Sequence, residues 1–207
     1  MSSAIVTPIL SKLLHLIFQI EGSKRSFVQA SADYITPQAR RNVATRGLSA
    51  TATSLEHIMA KEQENKAIVG RWFEGFWGNP WNPKIIDELA ASDMLLQYSL
   101  HAPRRGREDV KKFMTGFREA FPDLNFWGAA DLIAEGDYVV GRWEGGGTHT
   151  GPAFSDFLIG SLPAASGRKM RFTGTTVLRV ENGKIAEEIG LDDGVTALQQ
   201  LGLLRAA

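Results

Sequence analysis

The stretch that follows Pro122 constrains the fold most. Segments 124–134, 137–150, 169–180 and 184–191 each read as a long strand, with turns at Glu135-Gly136 and Glu181-Asn182-Gly183. Asn-Gly tolerates the positive φ that a two-residue turn demands, so the last two strands are predicted to form a hairpin. Four long strands in succession make an antiparallel sheet, and something must cover its apolar face.

The cover comes from upstream. Thr53-Ser54-Leu55-Glu56 has the capping-box pattern, and Ile58, Ile68, Val69, Trp72, Phe73 and Phe76 then recur at helix spacing, which predicts a long amphipathic first helix. Gly78 to Pro83 breaks it, and Asn82 before Pro83 reads as the N-cap of a short helix through Leu89. A strand is predicted over 94–100. Segment 106–121 carries Val110, Phe113, Met114, Phe117 and Phe121 at three- and four-residue spacing before Pro122 ends it, giving a third helix. A short helix over 197–204 closes the chain. The expectation is an α+β domain over 53–207: a strongly curved, mostly antiparallel sheet with about three covering helices, shaped as a cone around a deep pocket.

Composition removes several function classes. Lys and Arg number 23 against 23 Asp and Glu, so no net positive field points to nucleic acid. Without cysteine there is no disulfide, thiolate metal site or thiol nucleophile, and the four His have no metal-site spacing, so no metal is expected. The most apolar stretch, 4–20, is interrupted by Pro8, Lys12 and His15, so no membrane association is expected. Residues 1–52 are expected to be an extension. Their basic charged residues, Lys12, Lys24, Arg25, Arg40, Arg41 and Arg46, face only Glu21 and Asp33, amid Ser, Thr and Ala. That bias fits a mitochondrial import signal, and without one the location would be cytoplasmic. A secretory reading would place its cleavage site at Ala30-Ser31-Ala32, but no charged side chain precedes Lys12.

Three runs carry a resemblance: Gly147-Thr148-His149-Thr150-Gly151, then Gly167 to Gly174, then Leu178 to Glu188, with the ending Leu198-Gln199-Gln200-Leu201-Gly202. Together they resemble the SnoaL-like polyketide cyclase and ester cyclase branch of the nuclear transport factor 2-like superfamily, over roughly residues 55 to 204. The resemblance implies a cone-shaped α+β barrel, frequent homodimers through the sheet, and no metal or organic cofactor. It also implies an acidic side chain near the end of the last strand, which moves protons during an intramolecular aldol closure. That places Asp192 and Asp193 as catalytic candidates, with Asp193 favoured by register with the Leu-Gln-Gln-Leu-Gly ending. The family's partner His would fall within Thr173 to Thr176, so Thr176 becomes a candidate, and the Trp and His often found beside the penultimate acid are replaced by Glu187-Glu188-Ile189-Gly190.

The remaining candidates follow from chemistry and parity. Removing a proton next to a carbonyl needs a carboxylate whose basicity burial has raised. In a regular strand Glu187 shares a face with Ile185, Ile189 and Asp193, making it a second pocket carboxylate or an ion-pair partner of Arg142 or Arg179. Glu188 is then expected to face solvent or a dimer partner. Gln97 and Tyr98 alternate faces, so one of them is a ligand contact. His101 at the cone mouth and His149 in its glycine turn are acid or base candidates, histidine being the side chain whose ordinary pKa lies near neutrality. Trp77, Trp127 and Trp143 are candidate wall residues for a flat apolar ligand, ordinary core packing being the alternative. The function expected is a cofactor-independent cyclase or isomerase acting on a small hydrophobic carbonyl compound. The alternatives are a non-catalytic ligand-binding or dimerisation module, and a hydrolase or dehydratase using pocket Asp and Glu.

Overall fold

In the computed structural model, backbone is described for residues 37–205 and side chains for 54–205. The readings made for residues 1–52 therefore lie almost entirely outside the described residues. Four helices are described: α1 (Pro37–Trp72), running into a π-helical turn at Phe73–Trp77, then α2 (Lys84–Leu89), α3 (Arg107–Ala120) and α4 (Gly194–Gln200). The strands are β1 (Ala90–Gln97), β2 (Arg104–Arg105), β3 (Asn125–Gly128), β4 (Ile133–Glu135), β5 (Tyr138–Thr148), β6 (Lys169–Glu181) and β7 (Lys184–Asp192). The expected α+β class holds, as a curved and unclosed sheet with helices against it. No described helix is long and apolar enough to cross a membrane.

Strand order is β2-β1-β7-β6-β5-β3, with β4 also on β5. Among the described strands only β1 with β7 runs parallel. The expected 184–191 hairpin with β6 is present, and its turn residue Asn182 has a φ of 51°. The long 124–134 strand divides, because β3 and β4 pair different stations of β5: Phe126 opposite Gly145, and Ala134 opposite Val139. The first helix does not start at the Thr53 capping box. Helical backbone already runs from Pro37 through it, so a cap signature inside a continuing helix is overridden by its neighbours.

One irregularity decides which residues face inward. Arg179 pairs with Glu187 but Val180 pairs with Ile185, leaving Ala186 as an extra residue. This β-bulge buries Ile185 and Ala186 in succession and reverses the alternation beyond them. Glu188, Gly190 and Asp192 then point inward, while Glu187, Ile189 and Leu191 point out.

The helices and the sheet's inner face share one core, in which Trp72, Phe76, Ile86, Met94, Met114, Phe121, Leu178 and Ile185 are fully buried. Arg118 of α3 clamps it. Its guanidinium donates to the carbonyls of Phe76, Gly78 and Leu124 at 2.8, 2.8 and 3.0 Å, fixing the exit of the π turn. Burial lowers its pKa to about 10, which still leaves the group charged near neutrality. Two glycines are dictated by close approach. A Cβ on Gly190 would lie 2.1 Å from the Tyr98 ring, and one on Gly174 would lie 2.3 Å from the Trp143 ring.

Candidate active site

A cavity of about 400 Å³, counted to its open mouth, lies on the inner face of the sheet. Its wall is almost wholly aromatic: Phe73, Trp77, Phe117, Phe126, Trp143 and Phe172, with Tyr98, Leu100, His101 and Asp192. An almost wholly aromatic wall suits a flat ring.

Behind the wall sits a fully buried carboxylate, Glu188. Trp72 Nε1 donates to one of its oxygens at 2.7 Å, while Trp77 Nε1 at 2.7 Å and the Tyr98 hydroxyl at 2.6 Å donate to the other. Trp72 and Trp77 are five residues apart, which in an α-helix would splay their side chains. The π turn, with its wider i→i+5 hydrogen bonding, brings both indoles to the same group. Burial raises the Glu188 pKa to about 6, against the lowering effect of the three hydrogen bonds. Tyr98 Oη also lies 2.8 Å from Thr176 Oγ1, which accepts from Trp143 Nε1 at 2.7 Å. With Tyr98 donating to Glu188, the Thr176 hydroxyl donates to Tyr98. Burial and the adjacent Glu188 charge hold the Tyr98 phenol well above its ordinary value.

Asp192 is the carboxylate that reaches the cavity. The Ser99 hydroxyl donates to its Oδ1 and the Ser99 amide to its Oδ2 at 3.4 Å. Partial withdrawal from water raises its pKa, the Ser99 hydrogen bonds opposing the rise.

His101 is buried at the same wall. Its Nδ1 is 3.1 Å from the Asp156 carbonyl oxygen, and desolvation lowers its pKa to about 4. Asp156 is anchored in turn by the Arg104 guanidinium at 2.5 Å. This holds the β5–β6 connection, with Phe154 and Phe157, against α3 and the residues after β1.

Several expected site residues lie elsewhere. Asp193 caps α4, its Oδ1 accepting from the Thr196 amide at 3.3 Å. Glu187 faces outward in an ion pair with Arg179 at 3.0 Å, because the bulge inverts the regular-strand parity. The same inversion corrects the expectation of an outward Glu188. Gln97 is exposed on the outer face, leaving Tyr98 as the inward member of that pair. Trp127 also lies outside the cavity, donating to Glu144 at 3.1 Å beneath the Arg171 guanidinium, since it follows the inward Phe126 by one residue. His149 is fully buried in its turn, bound to Ser166 Oγ at 2.9 Å and the Pro152 carbonyl at 2.8 Å, and does not line the cavity. Trp77, Trp143, Tyr98, His101 and Asp192 are brought together, with Thr176 directly behind them. Glu188 and Ser99 are the participants that sequence reasoning missed. The five-residue spacing of Trp72 and Trp77 is the sequence signal that could have marked Glu188. Among the described residues no cluster of three or more His, Asp or Glu is placed to hold a metal ion.

The sequence profile of the SnoaL-like polyketide cyclase family matches residues 67–201. No curated protein sequence matches. Among solved structures, the chain resembles a protein from a Jannaschia species named as a SnoaL-like polyketide cyclase, at 23% identity and TM-score 0.58, over 70% of this chain and 95% of that one. A Bacillus cereus protein named as a polyketide cyclase matches at 25% identity and TM-score 0.53, over 69% and 83%. A Catenulispora acidiphila protein of ketosteroid isomerase-like fold, solved with trimethylamine, matches at 20% identity and TM-score 0.52, over 66% and 93%.

Proposed function

The chain belongs to the SnoaL-like polyketide cyclase family, and from that premise we propose that it is a cofactor-independent cyclase or isomerase acting on a small, flat carbonyl compound. The observation that carries this reading is Asp192, a carboxylate of raised basicity in an otherwise aromatic cavity wall, held by the Ser99 hydroxyl and amide. In the proposed step Asp192 removes a proton from carbon next to a carbonyl and returns it at a new position. The Tyr98 hydroxyl, donating to Glu188 and accepting from Thr176, fixes the wall beside Asp192. The aromatic wall favours flat substrates of one or two rings. A planar β-dicarbonyl compound in heavy water tests the reading: the chain should accelerate deuterium exchange well above the buffer rate. An unaccelerated rate favours the second reading that the apolar cavity supports, a binding module without catalysis.

A homodimer through the outer face of the sheet is part of the same proposal. Val140, Val177 and Ile189 stand side by side across β5, β6 and β7, and beside them Leu191 is 81% exposed. Sedimentation should give a dimer, and Leu191→Lys should weaken it; a monomeric wild-type chain contradicts this part. The mitochondrial destination suggested by residues 1–52 is likewise proposed, and fusing that segment to a fluorescent protein tests it.

A further inference from the structure

His101 is 7% exposed and packed between aromatic rings, with centroids 4.8 Å from Phe113, 5.1 Å from Phe117 and 5.2 Å from Phe157. Its Nδ1 faces the Asp156 carbonyl oxygen at 3.1 Å. A carbonyl only accepts, so Nδ1 carries the ring proton. Desolvation lowers the pKa to about 4, which keeps the ring neutral near neutral pH. Nε2 is therefore a bare acceptor. It is buried and has no partner.

Buried acceptors are nearly always paired, so an unpaired one in a cavity wall signals a partner from outside the chain. Trp81 Nε1, Arg104 Nε and Arg118 Nε are also unpaired, but all three are donors, each guanidinium is bound through its other nitrogens, and none of these residues lines the cavity. His101 does, together with the second acceptor, Asp192. Around these two the wall is apolar, with Tyr98 already engaged.

We infer that His101 Nε2 determines specificity by accepting a hydrogen bond from the ligand, so that the cavity selects flat, single-ring or enolised compounds carrying an O–H or N–H donor. This rests on the cavity being a ligand site and names the class of ligand it takes. His101 is thus a positioning group, distinct from the proton-transferring Asp192. An analogue that lacks the donor would leave Nε2 unpaired and bind less well.

Phenol and anisole, alike except for the donor, test this on the full chain with its histidines labelled for nitrogen NMR. Phenol should bind about tenfold more tightly than anisole, and should move the His101 Nε2 resonance in the direction of an accepted hydrogen bond, while anisole should not. His101→Phe keeps the ring packing and should abolish the preference; Asp192→Asn should retain it. Equal binding of the two compounds, or an Nε2 resonance that phenol leaves unmoved, overturns the inference while leaving the ligand cavity standing. A preference that survives in His101→Phe but disappears in Asp192→Asn transfers the role to Asp192 and also overturns it. Failure of both compounds to bind the wild-type chain removes the cavity reading and this inference together. Should His101→Phe not fold, the wild-type resonance alone decides.

Discussion

The Tyr98 hydroxyl donates a 2.6 Å hydrogen bond to Glu188 across 90 residues of sequence, joining the end of β1 to the middle of β7 inside an aromatic wall. The parallel β1–β7 pairing, with Gln97 opposite Ile189, brings Tyr98 over Gly190 and within reach of the carboxylate two residues earlier. The bulge at Ala186 turns that carboxylate inward.

Burial of Glu188 should make stability depend on pH in a known direction. Its folded pKa is raised from 4.5 to about 6, so its favourable contribution is complete below 4.5 and is lost as pH rises through about 6. The loss amounts to about 2 kcal/mol. Denaturant unfolding of the wild-type chain and Glu188→Gln between pH 4 and pH 7 should show the difference between them moving by about that amount, in favour of Gln at the higher pH. A difference that stays flat contradicts a raised pKa.

Tyr98→Phe removes one of the three donors that hold the Glu188 pKa down. The Glu188 titration, followed by carboxyl NMR, should move upward, and stability at pH 7.5 should fall by about 1–3 kcal/mol as the carboxylate loses a buried partner. A titration that stays in place or moves down would show that the phenol is not coupled to Glu188.

Gly190→Ala would place a methyl group 2.1 Å from the Tyr98 ring. Displacing the ring should cost about 1–3 kcal/mol, measured by thermal or chemical unfolding. A neutral substitution would mean that Tyr98 does not lie on Gly190.

Much of this architecture follows from local patterns, and the site does not. Pro122, Asn182-Gly183 and the Val110-to-Phe121 spacing define α3 and the β6–β7 hairpin, because helix period and turn chemistry are local properties. The orientation of Glu188 depends on one bulged residue. Ala186 is small enough for either face, so nothing in its identity marks a bulge. Hydrophobic alternation also misleads, because Ile189 and Leu191 belong to the outer face of the sheet, where the described residues leave them exposed. Counting along a regular strand from Ile185 and Ile189 puts Glu187 inside and Glu188 outside, and the bulge reverses both.

The distinction between Asp192 and Asp193 carries the whole functional account. Asp192 lines the cavity and Asp193 caps α4. Asparagine caps a helix about as well as aspartate, so Asp193→Asn should leave the fold intact. The direct measurement is the rate of deuterium exchange into a planar β-dicarbonyl compound catalysed by the wild-type chain, Asp192→Asn and Asp193→Asn. The account predicts at least a tenfold loss in Asp192→Asn and a near wild-type rate in Asp193→Asn. The reverse pattern, or equal rates in all three, would contradict it.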